Sequence, residues 1–163
     1  MGTAAGAGPR HLAFHPNGRF AYLLNELNST MTVFEYDAAT GGLSEIETLA
    51  TLPAGYDGDN YAADVKVLST GDFLYTTNRI HDSIAVFAID AGTGRATLVG
   101  HAGCGGSWPW NLGIDPSGRF LLSANFESGN VVVFEIDRAT GMLKQTGHEA
   151  AVAHAVNVAF WVG

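Results

Sequence analysis

GRFAYLLNELNSTMTVFEYDAATGGL, residues Gly18 to Leu43, occurs three times in this chain. It returns as GDFLYTTNRIHDSIAVFAIDAGTGRATL from Gly71 and as GRFLLSANFESGNVVVFEIDRATGMLKQ from Gly118. Gly18, Asn25, Phe34, Asp37 and Gly41 recur 53 residues later as Gly71, Asn78, Phe87, Asp90 and Gly94. They recur again, 47 residues further on, as Gly118, Asn125, Phe134, Asp137 and Gly141. Five positions held in register across two steps signal a repeat architecture.

Each copy reads as four strands. In the first, His11 to His15 is a short apolar run, Pro16-Asn17-Gly18 a turn, and Phe20 to Asn25 a second run, the pattern of a β-hairpin. Asn28-Ser29 breaks the pattern, and Met31 to Tyr36 alternates as a half-buried strand does. Asp37 to Gly42 is a D-x-x-T-G turn, and Leu43 to Leu49 is a fourth run. Helical periodicity is absent. Four antiparallel strands per repeat of this length make the blade of a β-propeller, so the expected fold is all-β. A β-sandwich of irregular hairpins is the competing architecture, but it gives no reason for a repeated D-x-x-T-G.

The blades are expected at about 8–53, 61–107 and 108–152, with an orphan inner strand over 154–162. Between the first two lies Ala54-Gly55-Tyr56-Asp57-Gly58-Asp59-Asn60, an acidic, Gly-rich loop that accounts for the longer first spacing and belongs on a surface near a site. Three blades and a strand do not close a ring. The C-terminus reads as natural and the N-terminus as the cut. An isolated half would expose apolar blade faces, which favours self-association or pairing with a missing N-terminal half.

Charge and cysteine usage narrow the partners. A net charge of -8 with eight Lys plus Arg argues against nucleic acid and against an anionic membrane surface. The start, MGTAAGAG, lacks the basic and apolar segments of a signal peptide and fails the myristoylation pattern at Gly6. The single cysteine, Cys104, has no disulfide partner and no basic neighbours to activate it, so a cytoplasmic protein is expected.

Hairpin arithmetic locates a candidate site. If the first turn is centred between Asn17 and Gly18, Arg10 lies opposite Asn25 and beside Glu26. The same operation sets Ala63 and Asp64 by Asn78 and Arg79, and Trp110 by Asn125 and Phe126. One rim thus gathers Arg10, Glu26, Asp64, Arg79, His81, Trp110 and Phe126, and the opposite rim receives the P-x-G turns. A carboxylate can activate water, and a guanidinium can stabilise a developing oxyanion or hold a carboxylate or phosphate. Arg10 with Glu26 suits those roles; the alternative is a salt bridge tying two strands. His11 and His15 stand about 13 Å apart on a strand at ~3.3 Å per residue, too far to share a metal ion. His81-Asp82-Ser83 cannot form a triad, because successive strand residues face opposite ways, and Asp82 and Ser83 read as turn caps. His154 reaches the same rim at the start of the orphan strand.

GAGPRHLAFHPNGRFAYLLNELNSTMTVFEYD, NRIHDSIAVFAID and IDPSGRFLLSANFESGNVVVFEID closely resemble the C-terminal half of the lactonase family of seven-bladed β-propellers. That family includes propeller-type 6-phosphogluconolactonases and muconate lactonising enzymes. The resemblance implies a metal-independent hydrolase without cofactor, acting on a small anionic lactone or sugar acid, or a cyclase running the related chemistry. It implies active-site roles for Arg10 and Glu26 and extends them to Arg79; by their place on the same rim, His81, Asp64 and Trp110 join Arg79 as substrate-binding candidates. Two departures stand out. The family's H-A-H-S motif, in the preceding blade, has no counterpart here, and Pro109-Trp110-Asn111-Leu112 replaces the common P-R-N-F. The chain alone is therefore expected to be weakly active or inactive, and a non-catalytic half-propeller for binding or assembly is the second reading.

Overall fold

The computed structural model describes residues 3–161. Met1 and Gly2, where the leader and myristoylation readings begin, lie outside them, as does residue 162 at the end of the expected orphan strand. Twelve strands form three four-stranded antiparallel sheets. The first holds β1 (Pro9–Phe14), β2 (Phe20–Asn25), β3 (Thr30–Asp37) and β4 (Gly42–Ala50). The second holds β5 (Ala62–Val67), β6 (Phe73–Asn78), β7 (Ser83–Ile89) and β8 (Ala96–Gly103). The third holds β9 (Pro109–Ile114), β10 (Phe120–Asn125), β11 (Asn130–Ile136) and β12 (Leu143–Ala151). In every sheet the strands pair in chain order, the topology of propeller blades.

The hydrophobic core lies between sheets. One cluster joins Tyr22, Leu24, Met31 and Val33 of the first blade to Val65, Leu74 and Phe87 of the second. Another joins Tyr75, Ile84 and Val86 to Leu112, Leu121 and Phe134 of the third. This explains the unbroken apolar runs: the middle blade buries both faces, so its strands need no polar side. Leu12 on β1 is 39% exposed, whereas its counterparts Val65 and Leu112 are 2% and 0%.

The repeated residues are the ties. Asp37, Asp90 and Asp137 accept from backbone amides inside their own turns, and Gly41, Gly94 and Gly141 close those turns at φ near +73°. Tyr22 Oη donates to Gly94 O at 3.1 Å and Tyr75 Oη to Gly141 O at 3.0 Å, so the second and third turns also receive the preceding blade. Asn78 donates to Thr51 O at 2.9 Å and Asn125 to Cys104 O at 3.1 Å, binding an inner hairpin to the end of the preceding blade.

The expected strand over 154–162 does not form among the described residues: the chain beyond Ala151 has no ladder partner and is irregular. It still lies against β9. Val158 N donates to Asn111 Oδ1 at 2.8 Å, as Leu112 N donates to Asp64 Oδ2 at 2.9 Å one blade earlier.

Candidate functional site

The hairpin register differs from the arithmetic at one place, and the same place in each blade. The ladder pairs Pro9 with Asn25 and His11 with Leu24, so Arg10 is not opposite Asn25; it is the extra residue of a β-bulge. Ala62 pairs with Asn78 and Val65 with Thr76, which sets Ala63 and Asp64 against Thr77 alone. Pro109 pairs with Asn125 and Asn111 with Ala124, leaving Trp110 as the bulged residue. A uniform ladder was the assumption that failed. Bulges re-aim side chains and are frequent at sites, and here three of them put Arg10, Ala63 and Trp110 in equivalent positions on one rim.

At this rim Glu26 sits between two guanidiniums from different blades. Arg79 Nη2 donates to Glu26 Oε1, and Arg10 Nε lies 3.7 Å from Oε2. Arg79 is only 5% exposed; its Nε also donates to Tyr61 O at 3.3 Å. Arg10 Nη1 donates to Ala63 O across the blade boundary. Burial, then the neighbouring Arg79, pushes the Arg10 pKa below its ordinary range, while Glu26 and Asp64 act in the opposite direction. Trp110 lies under both cations, its ring centre 5.6 Å from Arg10 Cζ and 5.0 Å from Arg79 Cζ. Arg10, Glu26, Arg79 and Trp110 are thus brought together.

Asp64 and His81 are not part of that group. Asp64 is 0% exposed and lies beneath the rim, where its oxygens accept from His11 Nδ1 at 2.8 Å, Lys66 Nζ at 2.9 Å, Val65 N at 3.0 Å, Asn111 Nδ2 at 2.7 Å and Leu112 N at 2.9 Å. Its carboxylate joins the inner strands of all three blades, so it supports the rim rather than facing a ligand. His81 turns towards the outer strand β8: its ring is edge-on to Tyr56 at 4.8 Å and 6.1 Å from His101, and Nδ1 lies 2.7 Å from Ser83 Oγ. Burial first, then His101, lowers its pKa, partly offset by Asp82. Asp82 Oδ1 does not cap its own turn but reaches the next blade, accepting from Trp108 N at 2.6 Å, and Ser83 Oγ accepts from Asn78 Nδ2 at 3.2 Å.

His11 is the functional candidate that the sequence reading passed over. A carboxylate only accepts, so Nδ1–H of His11 is the donor to Asp64, and Arg10 Nη1 lies against the ring, 3.1 Å from Nε2 and 3.2 Å from Nδ1. An imidazole oriented by a buried carboxylate beside Arg10 is suited to proton transfer. The signal was present: His11, Asp64 and Asn111 stand at the 53- and 47-residue steps of the repeat.

The chain matches the family described as "Lactonase, 7-bladed beta-propeller" over residues 1–160. It belongs to that lactonase family. It is similar to the 6-phosphogluconolactonase of Pectobacterium carotovorum subsp. carotovorum (strain PC1), 46% identical over 101 residues that make 62% of this chain and 30% of the relative. The 6-phosphogluconolactonase of Bacillus subtilis (strain 168) is 37% identical over 114 residues, 70% of this chain and 33% of that protein. A solved structure described as the periplasmic gluconolactonase PpgL of Pseudomonas aeruginosa superposes with a TM-score of 0.90 at 33% identity, covering 96% of this chain and 43% of that one. This lactonase-family chain therefore spans less than half the length of that structure, as a partial, C-terminal portion of the propeller.

Among the described residues no group of three or more His, Cys, Asp or Glu is arranged to hold a metal ion, and no helix is long and apolar enough to cross a membrane. Cys104 is buried, with burial pushing its thiol up to about 11. A surface concavity of about 530 Å³ lies at the opposite rim, lined by Gly18, Arg19, Tyr36 and Asp37, away from these groups.

Proposed function

We propose that this chain carries the arginine–glutamate part of a site that hydrolyses sugar-acid lactones such as 6-phosphogluconolactone. Glu26 held between Arg10 and Arg79 on the bulged rim is the observation that carries the reading. The oxygen of a water adds to the lactone carbonyl carbon while its proton passes to Glu26. Arg10 and Arg79 supply donors to the carbonyl oxygen as negative charge grows on it. When the oxyanion collapses, the bond from the carbonyl carbon to the ring oxygen breaks, and the ring oxygen takes a proton and leaves as an alcohol. The proton it takes is the one Glu26 accepted from the water, and His11, oriented by Asp64 and in contact with Arg10, is placed to relay it.

Blades outside this chain contribute to the complete ring, so the chain alone is expected to open lactones slowly or not at all. The test is calorimetric binding of a sugar acid together with lactone opening followed at constant pH. Binding should weaken about 10–100-fold in Arg79→Ala, the loss of a paired charged donor. If no sugar acid binds the folded chain, or if a rate above buffer survives intact in Glu26→Gln, the proposal is wrong.

A second reading, an assembly module that pairs with a second copy or with the remainder of a ring, is favoured by exposed apolar groups. Phe14 and Leu27 on the first blade and Trp161 at the other end are 51%, 57% and 93% exposed. Light scattering on the purified chain tests it, and a monomer at high concentration would count against it. The single buried cysteine supports a reducing, cytoplasmic compartment.

A further inference from the structure

In two places an Asn or Asp precedes a glycine, Asn17-Gly18 and Asp57-Gly58, and both pairs are exposed. Such pairs are chemically weak. The backbone nitrogen of the glycine, with no Cβ beside it, can close on the side-chain carbonyl carbon of the residue before it and form a five-membered imide. In an open chain the asparagine reacts faster, because its amide loses ammonia at neutral pH, whereas a carboxylate must first take up a proton before it can lose water. The fold reverses that order.

Asn17 is held at both ends of its side chain. Oδ1 accepts from Arg19 N at 2.9 Å, and Nδ2 donates to Ala91 O of the second blade at 3.2 Å. The attacking nitrogen is engaged as well, since Gly18 N donates to His15 O at 2.9 Å. Asn17 N donates to Nδ1 of His15 at 3.1 Å, and Nε2 of that buried ring donates to Gly71 O at 3.1 Å, a second tie from this turn to the second blade.

The loop over 54–60 is built the other way. Its far end is anchored: buried Asn60 donates to Ser29 Oγ at 2.8 Å and Asn78 Oδ1 at 3.1 Å, and accepts from the amides of Ile80 and His81. Tyr56 Oη donates to Asp59 O at 3.1 Å across the loop. Between these ties, among the described residues, no hydrogen bond holds the Asp57 carboxylate or the Gly58 amide.

We propose that Asp57-Gly58 is a site of spontaneous isoaspartate formation and that the fold keeps Asn17-Gly18 intact. Gly58 N bonds to Cγ of Asp57, its proton and the carboxyl hydroxyl leave together as water, and a succinimide results. Water then opens the imide. Attack at Cγ restores aspartate; attack at the main-chain carbonyl breaks the bond from that carbon to Gly58 N, so the chain continues through Cγ and gains one methylene. The product carries a free α-carboxylate on an exposed loop, the group taken by an isoaspartate-specific carboxyl methyltransferase that uses S-adenosylmethionine.

The test incubates the folded 163-residue chain at mildly acidic pH and follows both pairs by peptide mapping, with methyl transfer from S-adenosylmethionine scoring isoaspartate. Isoaspartate should accumulate at Asp57 while Asn17 stays unmodified. Asp57→Asn, a surface change whose native melt is checked first, sets the same dipeptide in both places. Position 57 should then lose ammonia at least about 10-fold faster than Asn17, the factor for breaking two neutral hydrogen bonds. In urea, where the turn is lost, the two rates should converge. A folded chain without isoaspartate at Asp57 overturns the inference, and so do equal rates at the two positions of folded Asp57→Asn.

Discussion

At the rim of the D-x-x-T-G turns the three blades repeat the same bonds, Asp37, Asp90 and Asp137 each accepting from the amide two residues on. At the bulged rim the equivalent places hold Arg10-His11, Ala63-Asp64 and Trp110-Asn111, three pairs with different chemistry. The backbone geometry is repeated at both rims, since the bulge recurs in every blade. Repetition of side chains therefore marks scaffold, and the candidate site lies among the side chains that diverge on a repeated backbone. The inner strands show the same thing below the surface, where one register position is a histidine, a carboxylate and an amide in turn, and only that combination lets one buried carboxylate link three blades.

The comparison is broken most severely at Asp64. Asp64→Ala leaves the donors of His11, Lys66 and Asn111 and two backbone amides without their acceptor, and should cost about 3–5 kcal/mol in urea unfolding. If the loss were under about 1 kcal/mol, the role of Asp64 as the junction of the inner strands would have to be abandoned.

Next comes the turn rim. Gly41 and Gly94 share a positive φ, but a Cβ on Gly41 meets nothing within 4 Å, whereas one on Gly94 would strike the ring of Phe20. Gly41→Ala should cost about 1–2 kcal/mol from backbone strain alone, and Gly94→Ala at least about 1 kcal/mol more. Equal losses would show that the packing of Phe20 on the turn contributes nothing.

A smaller effect separates the guanidinium from an ammonium. Arg79→Lys keeps the charge but loses the planar fork shared between Glu26 and Tyr61 O, and sugar-acid affinity should fall about 10-fold with little change in melting temperature. Full affinity in that variant would reduce the role of Arg79 to a point charge.

The smallest effects are in pH dependence. Hydrogen bonds within the turns lower the pKa values of Asp37, Asp90 and Asp137 below the ordinary 3.8: the Thr40 hydroxyl leads at the first, the backbone amides of Thr93 and Thr140 at the others. A depressed carboxylate contributes stability that is complete above its unfolded value and is lost as pH falls through the folded one. Stability should thus decline on acidification below about 3.8, and replacing the three aspartates with Asn should flatten that slope. His81, lowered from 6.5 chiefly by burial, works in a different window: the unfolded chain takes up its proton first, so stability drops as pH falls below 6.5 and levels off beneath the folded value. His81→Gln should remove that slope, and an unchanged profile would mean that the ring is solvated in both states.

Much of the architecture was legible because turn chemistry and alternation are local. Gly at a positive φ, Asp accepting from its own turn and the apolar strands between them are dictated by residues close in sequence, and the registry counted the blades. Arg10, Glu26 and Arg79 were legible as one rim because hairpin ends lie together. The bulge was not, since one extra residue leaves no mark in an apolar pattern, and Arg10 was set opposite the wrong neighbour. Nor were the destinations of Asp64 and His81. Both are polar residues near a rim, and whether such a group faces solvent, a ligand or another blade depends on what stands 50 residues away.

By itself, then, the order of residues determined three four-stranded units of one kind and the rim that carries their differences. Tertiary packing alone decided that Asp64 is a buried junction, that His11 is oriented by it, and that Trp110 lies beneath two guanidiniums. The physical reason is range. Backbone propensity acts over a few residues, while desolvation, ion pairing and stacking act between side chains that only the assembly of neighbouring blades brings within 3 to 6 Å.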